Sequence, residues 1–281
     1  MNSFKIKSYA KVNLALNVTG KNLNLHKIES IICFINLHDL IYLKKTKKKN
    51  HKISFKGKFS KNINTKNTVT NLMKLLDDKN LLDDKKFEIT IFKNIPQRSG
   101  MGGGSMNAAS LINFFIQKRI LKLKKGEIVK LANQIGTDVL LGINSSNTIL
   151  SSNGKIKKYN KNVRFHTLVV KPNFGCSTRY IYSKVRLFSK PQFNFPKQKM
   201  FSSEYLKILN NDLEKIAFKK YPKLKKIKSF LLKMPKNIFV RMSGSGSSIV
   251  AYFHSKGECD NAYRQFKRKF NTDWCIVSKT I

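Results

Sequence analysis

Cysteine is scarce and scattered. Cys33, Cys176, Cys259 and Cys275 lie far apart, form no C-x-x-C pair and have no histidine cluster beside them. That spacing argues against a structural zinc site and for free, buried thiols in a reducing compartment. Long apolar runs are also missing. No stretch reaches 18 uninterrupted apolar residues, so no membrane span is expected. The opening segment "MNSFKIKSYAKVNLALNV" lacks an apolar h-region and a small-residue cleavage site, so no signal peptide is expected. No internal repeat or disordered linker interrupts the chain. Acidic residues are few: 15 Asp and Glu stand against 56 Lys and Arg, giving a formal net charge of +41 over 281 residues. Such an excess suits nucleic acid, a membrane surface or anionic small molecules. Drift of tolerant surface positions toward Lys and Asn explains it equally well. The densest run, Lys44 to Lys52, has no interleaved aromatics and reads as a solvated loop.

Enough is present for a folded core, since 41% of the residues are hydrophobic. Residues 4–19 carry Val12, Leu14, Leu16 and Val18 in alternation, the pattern of a strand. Segment 30–45 is rich in Ile and Leu and reads as one or two more. Val69, Leu72, Met73 and Leu76 have helical spacing, and Phe87, Ile89 and Ile91 share a strand face. Further helices are expected after the glycines near residue 103 and from Glu127 to Ile135, the second stopping at Gly136. An Asn-Gly pair at 153–154 marks a hairpin. The pattern resets near residue 160. A buried strand, helices around 202–233, a strand–loop–strand unit over 237–253, a helix over 257–270 and a last strand over 274–279 follow. The class is α+β, with domains expected at 1–160 and 161–281.

The chemistry concentrates in "IPQRSGMGGGSMNAAS", residues 95–110. Gly100, Gly102, Gly103 and Gly104 fall within five positions, directly before a helical pattern. Glycines let backbone N–H groups turn toward one point, and a helix amino end adds free N–H groups and partial positive charge. Strand, glycine loop and helix together make an anion cradle, most often for phosphate. A strained turn alone needs fewer glycines. Neither G-x-x-x-x-G-K-[ST] nor G-x-G-x-x-G fits the loop.

The loop resembles the P-x-x-x-G-L-G-G-G-S-S-N-A-A segment of the GHMP kinases. The resemblance extends in order through "YAKVNLALNVTG" (Tyr9 to Gly20), His26, "GTDV" (Gly136 to Val139), "STRYIY" (Ser177 to Tyr182), "NDLEKIAFKKYPKLKKIKSFL" (Asn211 to Leu231) and "MSGSGSSIVAYF" (Met242 to Phe253). It departs at Arg98 and Ser99, where the family often has Gly-Gly, and at Met106, Leu25 and Leu140. The triple glycine is similar to the branch that phosphorylates the 2-hydroxyl of 4-diphosphocytidyl-2-C-methyl-D-erythritol, in the non-mevalonate route to isoprenoid precursors.

The resemblance implies a two-lobed fold with its active site in the cleft between lobes, in a cytoplasmic enzyme that uses ATP with Mg2+. Asp138 is then the carboxylate that takes or orients the hydroxyl proton, against the alternative of a helix-capping Asp. Lys11 stabilises developing charge. Pro96, Gly100, Gly102, Gly103, Gly104, Ser105 and Asn107, with Ser243, Gly244, Ser245 and Gly246, are expected at ATP. Ser105 is the one candidate near magnesium; no firm metal ligand is expected. Asn13, His26, Thr178 and Tyr182 are expected at the cytidine diphosphate-linked polyol, with His26 on the cytosine edge and Tyr182 stacking.

The expected partners are these small molecules, in a monomer or homodimer, without a membrane and without nucleic acid. Two competing readings stay open. Another GHMP kinase, such as homoserine kinase, is opposed by the triple glycine, the Asn-Asp-Leu-Glu segment and Tyr182. An RNA-binding module on a related fold suits the charge but lacks an aromatic–basic platform.

Overall fold

A computed structural model describes residues 3–22, 25–160 and 164–281. Residues 161–163, where the sequence pattern places the domain boundary, lie outside the described residues. In chain order the elements are β1 (Phe4–Lys21), β2 (His26–Thr46), β3 (Lys52–Lys56), α1 (Thr68–Asp78), β4 (Lys86–Phe92), α2 (Gly103–Gln117), α3 (Lys125–Ile135), α4 (Val139–Gly142), β5 (Asn147–Leu150), β6 (Ile156–Tyr159), β7 (His166–Lys171) and α5 (Thr178–Ser183). After a short 3-10 turn come α6 (Ser203–Ile208), α7 (Leu213–Lys220), α8 (Pro222–Leu232), β8 (Phe239–Met242), β9 (Ile249–Phe253), α9 (Lys256–Lys269) and β10 (Trp274–Lys279). The mixture is α+β, as the sequence pattern implies.

The chain forms two compact units from interleaved segments. The first holds residues 1–10, 37–97 and 102–145; the second holds 11–36, 98–101 and 146–281. Strands β1 and β2 pair with each other and each contributes to both units.

In the first unit, β4 runs antiparallel to the later half of β2, with Ile41 opposite Ile91 and Leu43 opposite Ile89. Strand β3 joins β4 in parallel, Ile53 opposite Ile89. The inward faces of these strands and of α1, α2 and α3 share one core that includes Leu72, Leu76, Ile89, Leu111 and Phe115. Helix α1 starts where it does because Asn67 closes a capping box: its side-chain oxygen accepts from Val69 N at 3.0 Å and Thr70 N at 3.2 Å, and Thr70 Oγ1 accepts from Asn67 N at 2.9 Å. The Lys44 to Lys52 run is not all loop. Lys44 and Lys45 lie in β2 and Lys52 opens β3; only the exposed turn between them is irregular. Lys44 and Lys48 reach Glu88 on β4 at 2.9 and 3.0 Å, so part of the run anchors the strand end.

In the second unit, a four-stranded antiparallel sheet has the order β10–β7–β9–β8. Helices α7, α8 and α9 cover it through Leu213, Leu224, Ile227, Leu231 and Phe266, which join Leu168, Val170 and Ile249 in one core. Strands β5 and β6 form the expected hairpin, Leu150 opposite Ile156, with Gly154 at φ +80° in the turn. Residues 280–281 close back on β2: Thr280 bridges Ile35, and Ile281 N donates to Phe34 O at 3.0 Å. The four cysteines are buried and free. Among the described residues, no helix is long and apolar enough to cross a membrane.

Candidate functional site

In the first unit, β4 delivers the chain through buried Pro96 toward α2. Gly102 is the N-cap of α2, at φ 65° and ψ 18°, and no side chain caps the helix there. A left-handed N-cap without a side chain leaves the first N–H groups of a 15-residue helix open toward a ligand. Ser105 stands in that first turn. Positive φ belongs to Gly100 and Gly102, not to Gly103 or Gly104, which are helical. Those two are small for packing reasons instead. A Cβ on Gly103 would lie 3.1 Å from Ile95 Cγ2 and 3.3 Å from Lys93 Nζ, and one on Gly104 would lie 3.0 Å from Thr68 Oγ1. Asn107 is 1% exposed, and its Oδ1 is buried with no partner among the described residues.

Asp138 is half-buried and occupies the N-cap position of α4 with no side-chain cap hydrogen bond. The capping role, the bland alternative for this residue, is therefore not what its carboxylate does.

In the second unit, Lys11 lies on β1 at 5% exposure. Its ammonium donates to Asn13 Oδ1 at 2.9 Å; Asn13 Nδ2 donates to Ser30 Oγ at 2.8 Å, and Ser30 Oγ to Ala15 O at 2.6 Å. The bonds of the Asn13 amide thus orient Lys11. Asn13 N donates to Ser243 Oγ at 3.3 Å, and Ser243 Oγ donates to Gly100 O at 2.9 Å. Segment 98–101 is pinned further by Ser247 N on Arg98 O at 3.3 Å and Ser248 N on Ser99 O at 3.0 Å. Gly244 and Gly246 both have positive φ.

Asn211 supports the same turn. Its Nδ2 donates to Met242 O and Gly244 O, each at 2.8 Å, while its Oδ1 accepts from Leu213 N at 3.0 Å. Sequence reasoning noted the Asn-Asp-Leu-Glu segment without giving Asn211 this task. Ser245 Oγ lies 2.8 Å from Thr178 Oγ1, bringing two expected site residues together. Cys176 lies beside this turn, and burial pushes its thiol up to about 11, which leaves it unreactive at neutral pH.

His26 and Tyr182 also meet, ring centroids 5.2 Å apart at 42°. Burial first, and then the Lys21 charge, hold His26 below its usual 6.5. At neutral pH its ring is uncharged, with one donor and one acceptor nitrogen. Leu25, where the family has Tyr, is 65% exposed.

Known proteins match this chain in sequence and in fold. Residues 67–155 match the GHMP kinases N terminal domain, and residues 199–272 match the GHMP kinases C terminal domain. The chain is 65% identical over its full length to the full length of 4-diphosphocytidyl-2-C-methyl-D-erythritol kinase from Pelagibacter ubique (strain HTCC1062). It is 31% identical to the enzyme of that name from Clostridium tetani (strain Massachusetts / E88), covering 99% of this chain and 100% of that one. A crystal structure of 4-(cytidine 5'-diphospho)-2C-methyl-D-erythritol kinase superposes with a TM-score of 0.79 at 20% identity, covering 99% of this chain and 100% of that one. Homoserine kinase from Cytophaga hutchinsonii gives a TM-score of 0.73 at 14% identity, covering 100% and 95%. At those identities the structures speak for the fold alone. Sequence, domain matches and fold agree that the chain belongs to the GHMP kinase family and is a kinase.

Proposed function

We propose that this kinase transfers the γ-phosphoryl group of ATP to the 2-hydroxyl of 4-diphosphocytidyl-2-C-methyl-D-erythritol. The observation that carries this reading is 65% identity, without a gap in coverage, to a kinase named for that substrate. The reaction belongs to the making of isoprenoid precursors, and a cytoplasmic location suits it.

Each proposed role follows from local chemistry. The open amino end of α2 receives the phosphates through backbone N–H groups, with Ser105 supplying a hydroxyl. The turn at 243–246 adds the second glycine-rich surface. Asp138 accepts or orients the hydroxyl proton, and Lys11, held by Asn13, stabilises charge as the phosphoryl group leaves. His26 offers its donor–acceptor edge to the cytosine, Tyr182 its ring face, and Thr178 a hydroxyl beside Ser245. Among the described residues no group of three His, Cys, Asp or Glu side chains is placed to hold a metal. Ser105 would be the chain's candidate ligand to a Mg2+ carried on ATP, which would neutralise phosphate charge.

The deciding experiment supplies the purified protein with ATP and the cytidylated polyol and follows ADP release, with homoserine as the competing acceptor. Turnover of the cytidylated substrate alone supports the reading. Turnover of homoserine in its place overturns it.

A further inference from the structure

A buried ion pair sits where β4 runs into the glycine loop. Asp39 is 0% exposed and Lys93 4%. One carboxylate oxygen of Asp39 takes the Lys93 ammonium. The other, Oδ1, accepts from Asn94 N at 2.7 Å and from Ile95 N at 2.8 Å. The same ammonium packs against the start of α2, 3.3 Å from where a Cβ on Gly103 would stand. Residues 94 and 95 lead into the loop and Gly103 leaves it. Both ends of the loop therefore meet at one buried pair.

Burying two charges is costly, and well-packed apolar replacements often match or exceed such a pair in stability. Stability alone is a weak reason for a chain to keep it. A glycine loop carries a different need. Ordering backbone costs conformational entropy at every residue fixed, and a loop left to order on the ligand loses affinity by that cost. A clamp on both ends removes part of that cost before the ligand arrives.

We propose that Asp39 and Lys93 are positioning residues for ATP. They hold the two ends of the glycine loop so that the N–H groups of α2 stay aimed at the phosphates. This rests on the phosphotransfer reading given above.

The test compares wild type, Asp39→Asn/Lys93→Met and Gly103→Ala by calorimetric titration with a non-hydrolysable ATP analogue, by KM for each substrate and by thermal unfolding. The double variant removes both buried charges and leaves neither unpaired, so it is expected to fold. Its affinity for the analogue is expected to fall about tenfold, as small displacements of binding groups do. KM for the acceptor should stay within about twofold. Gly103→Ala favours the helix and is expected to fold well, yet to lose a similar affinity by displacing Lys93. Adding Asp39→Asn and Lys93→Met together to it should cost no further affinity. Analogue affinity kept within about twofold in the double variant overturns the proposal. So does an equal loss for both substrates accompanied by lost stability, which would mark a purely structural pair. A wild-type chain that binds no analogue overturns the phosphotransfer reading itself.

Discussion

Gly100→Ala is a sharp test of how segment 98–101 is held. The added Cβ would stand 2.0 Å from Ser243 O, 2.9 Å from Ser243 C and 3.1 Å from Gly246 O. Reaching ordinary contact at 3.4 Å requires a backbone retreat of 1.4 Å (3.4 less 2.0). No side-chain rotation relieves this, because every close atom is main chain. The φ of +75° adds about 1–2 kcal/mol for a residue with a Cβ. The retreat also strains three hydrogen bonds: Ser243 Oγ to Gly100 O, Ser247 N to Arg98 O and Ser248 N to Ser99 O. At about 1 kcal/mol each, the sum is about 4–5 kcal/mol.

Two other glycines separate the contributions. Gly154 has φ +80° with open space around it, so Gly154→Ala is expected to cost about 1–2 kcal/mol from backbone conformation alone. Gly126 lies in α3 with nothing within 4 Å and ordinary φ, so Gly126→Ala is expected to stabilise by about 0.5–1 kcal/mol. Urea unfolding of the three variants reads all of this. If Gly100→Ala costs no more than Gly154→Ala, segment 98–101 is not seated against the 243–248 turn and the reasoning fails.

Asp138→Ala is expected to lower kcat by about 10² to 10⁴ while the thermal midpoint holds, since its side chain does not cap α4; activity within a few-fold of wild type in steady-state assays refutes the assignment. His26 is held below 6.5, so the unfolded chain takes up its proton first as pH falls; its contribution to stability is complete above 6.5 and is lost through the folded value below it. An NMR titration should show that low midpoint, and Lys21→Gln should raise it. Replacing the lysines from Lys44 to Lys52 by Gln is expected to leave kcat/KM within about twofold. Bonds to Lys44 and then Lys48 hold Glu88 down at about 2, and the same variant should release it toward 4.5, erasing a stability contribution present above 4.5 and lost as pH falls toward 2.

Strongly periodic segments were legible from sequence alone. Val69 to Leu76 is helix α1, Phe87 to Ile91 is β4, and the alternation at Val12 to Val18 lies in β1. Gly136 marked the end of α3, and the Asn-Gly pair at 153–154 marked the β5–β6 hairpin. Strand β3 was not legible, because its reason for being a strand is parallel pairing with β4, a partner 30-odd residues away. The interleaving of the two units is equally non-local. Among the site residues, His26 beside Tyr182 and Thr178 beside Ser245 were reachable only through the ordered motifs of the family. Gly103 and Gly104 are helical, and the crowding a Cβ on either would meet at Ile95, Lys93 and Thr68 has no sequence pattern of its own. Asp39 and Lys93 gave no signal, since one lysine among many carries no mark of burial.

The interleaved units also set a timetable for synthesis. Residues 11–36 belong with 146–281, and the bridges from Thr280 and Ile281 to Ile35 and Phe34 cannot form until residue 281 has been made. From Phe34 that is 247 residues of waiting (281 less 34), about 12–50 s at cellular elongation rates. Residues 37–145 include every remaining part of the first unit, so its core can collapse on the ribosome while the second unit is still half-written. Strand β5 reaches Ser30 to Ile32 early, but Phe34 and Ile35 wait for the chain end, which makes the nascent chain, more than the finished one, the form that needs a chaperone.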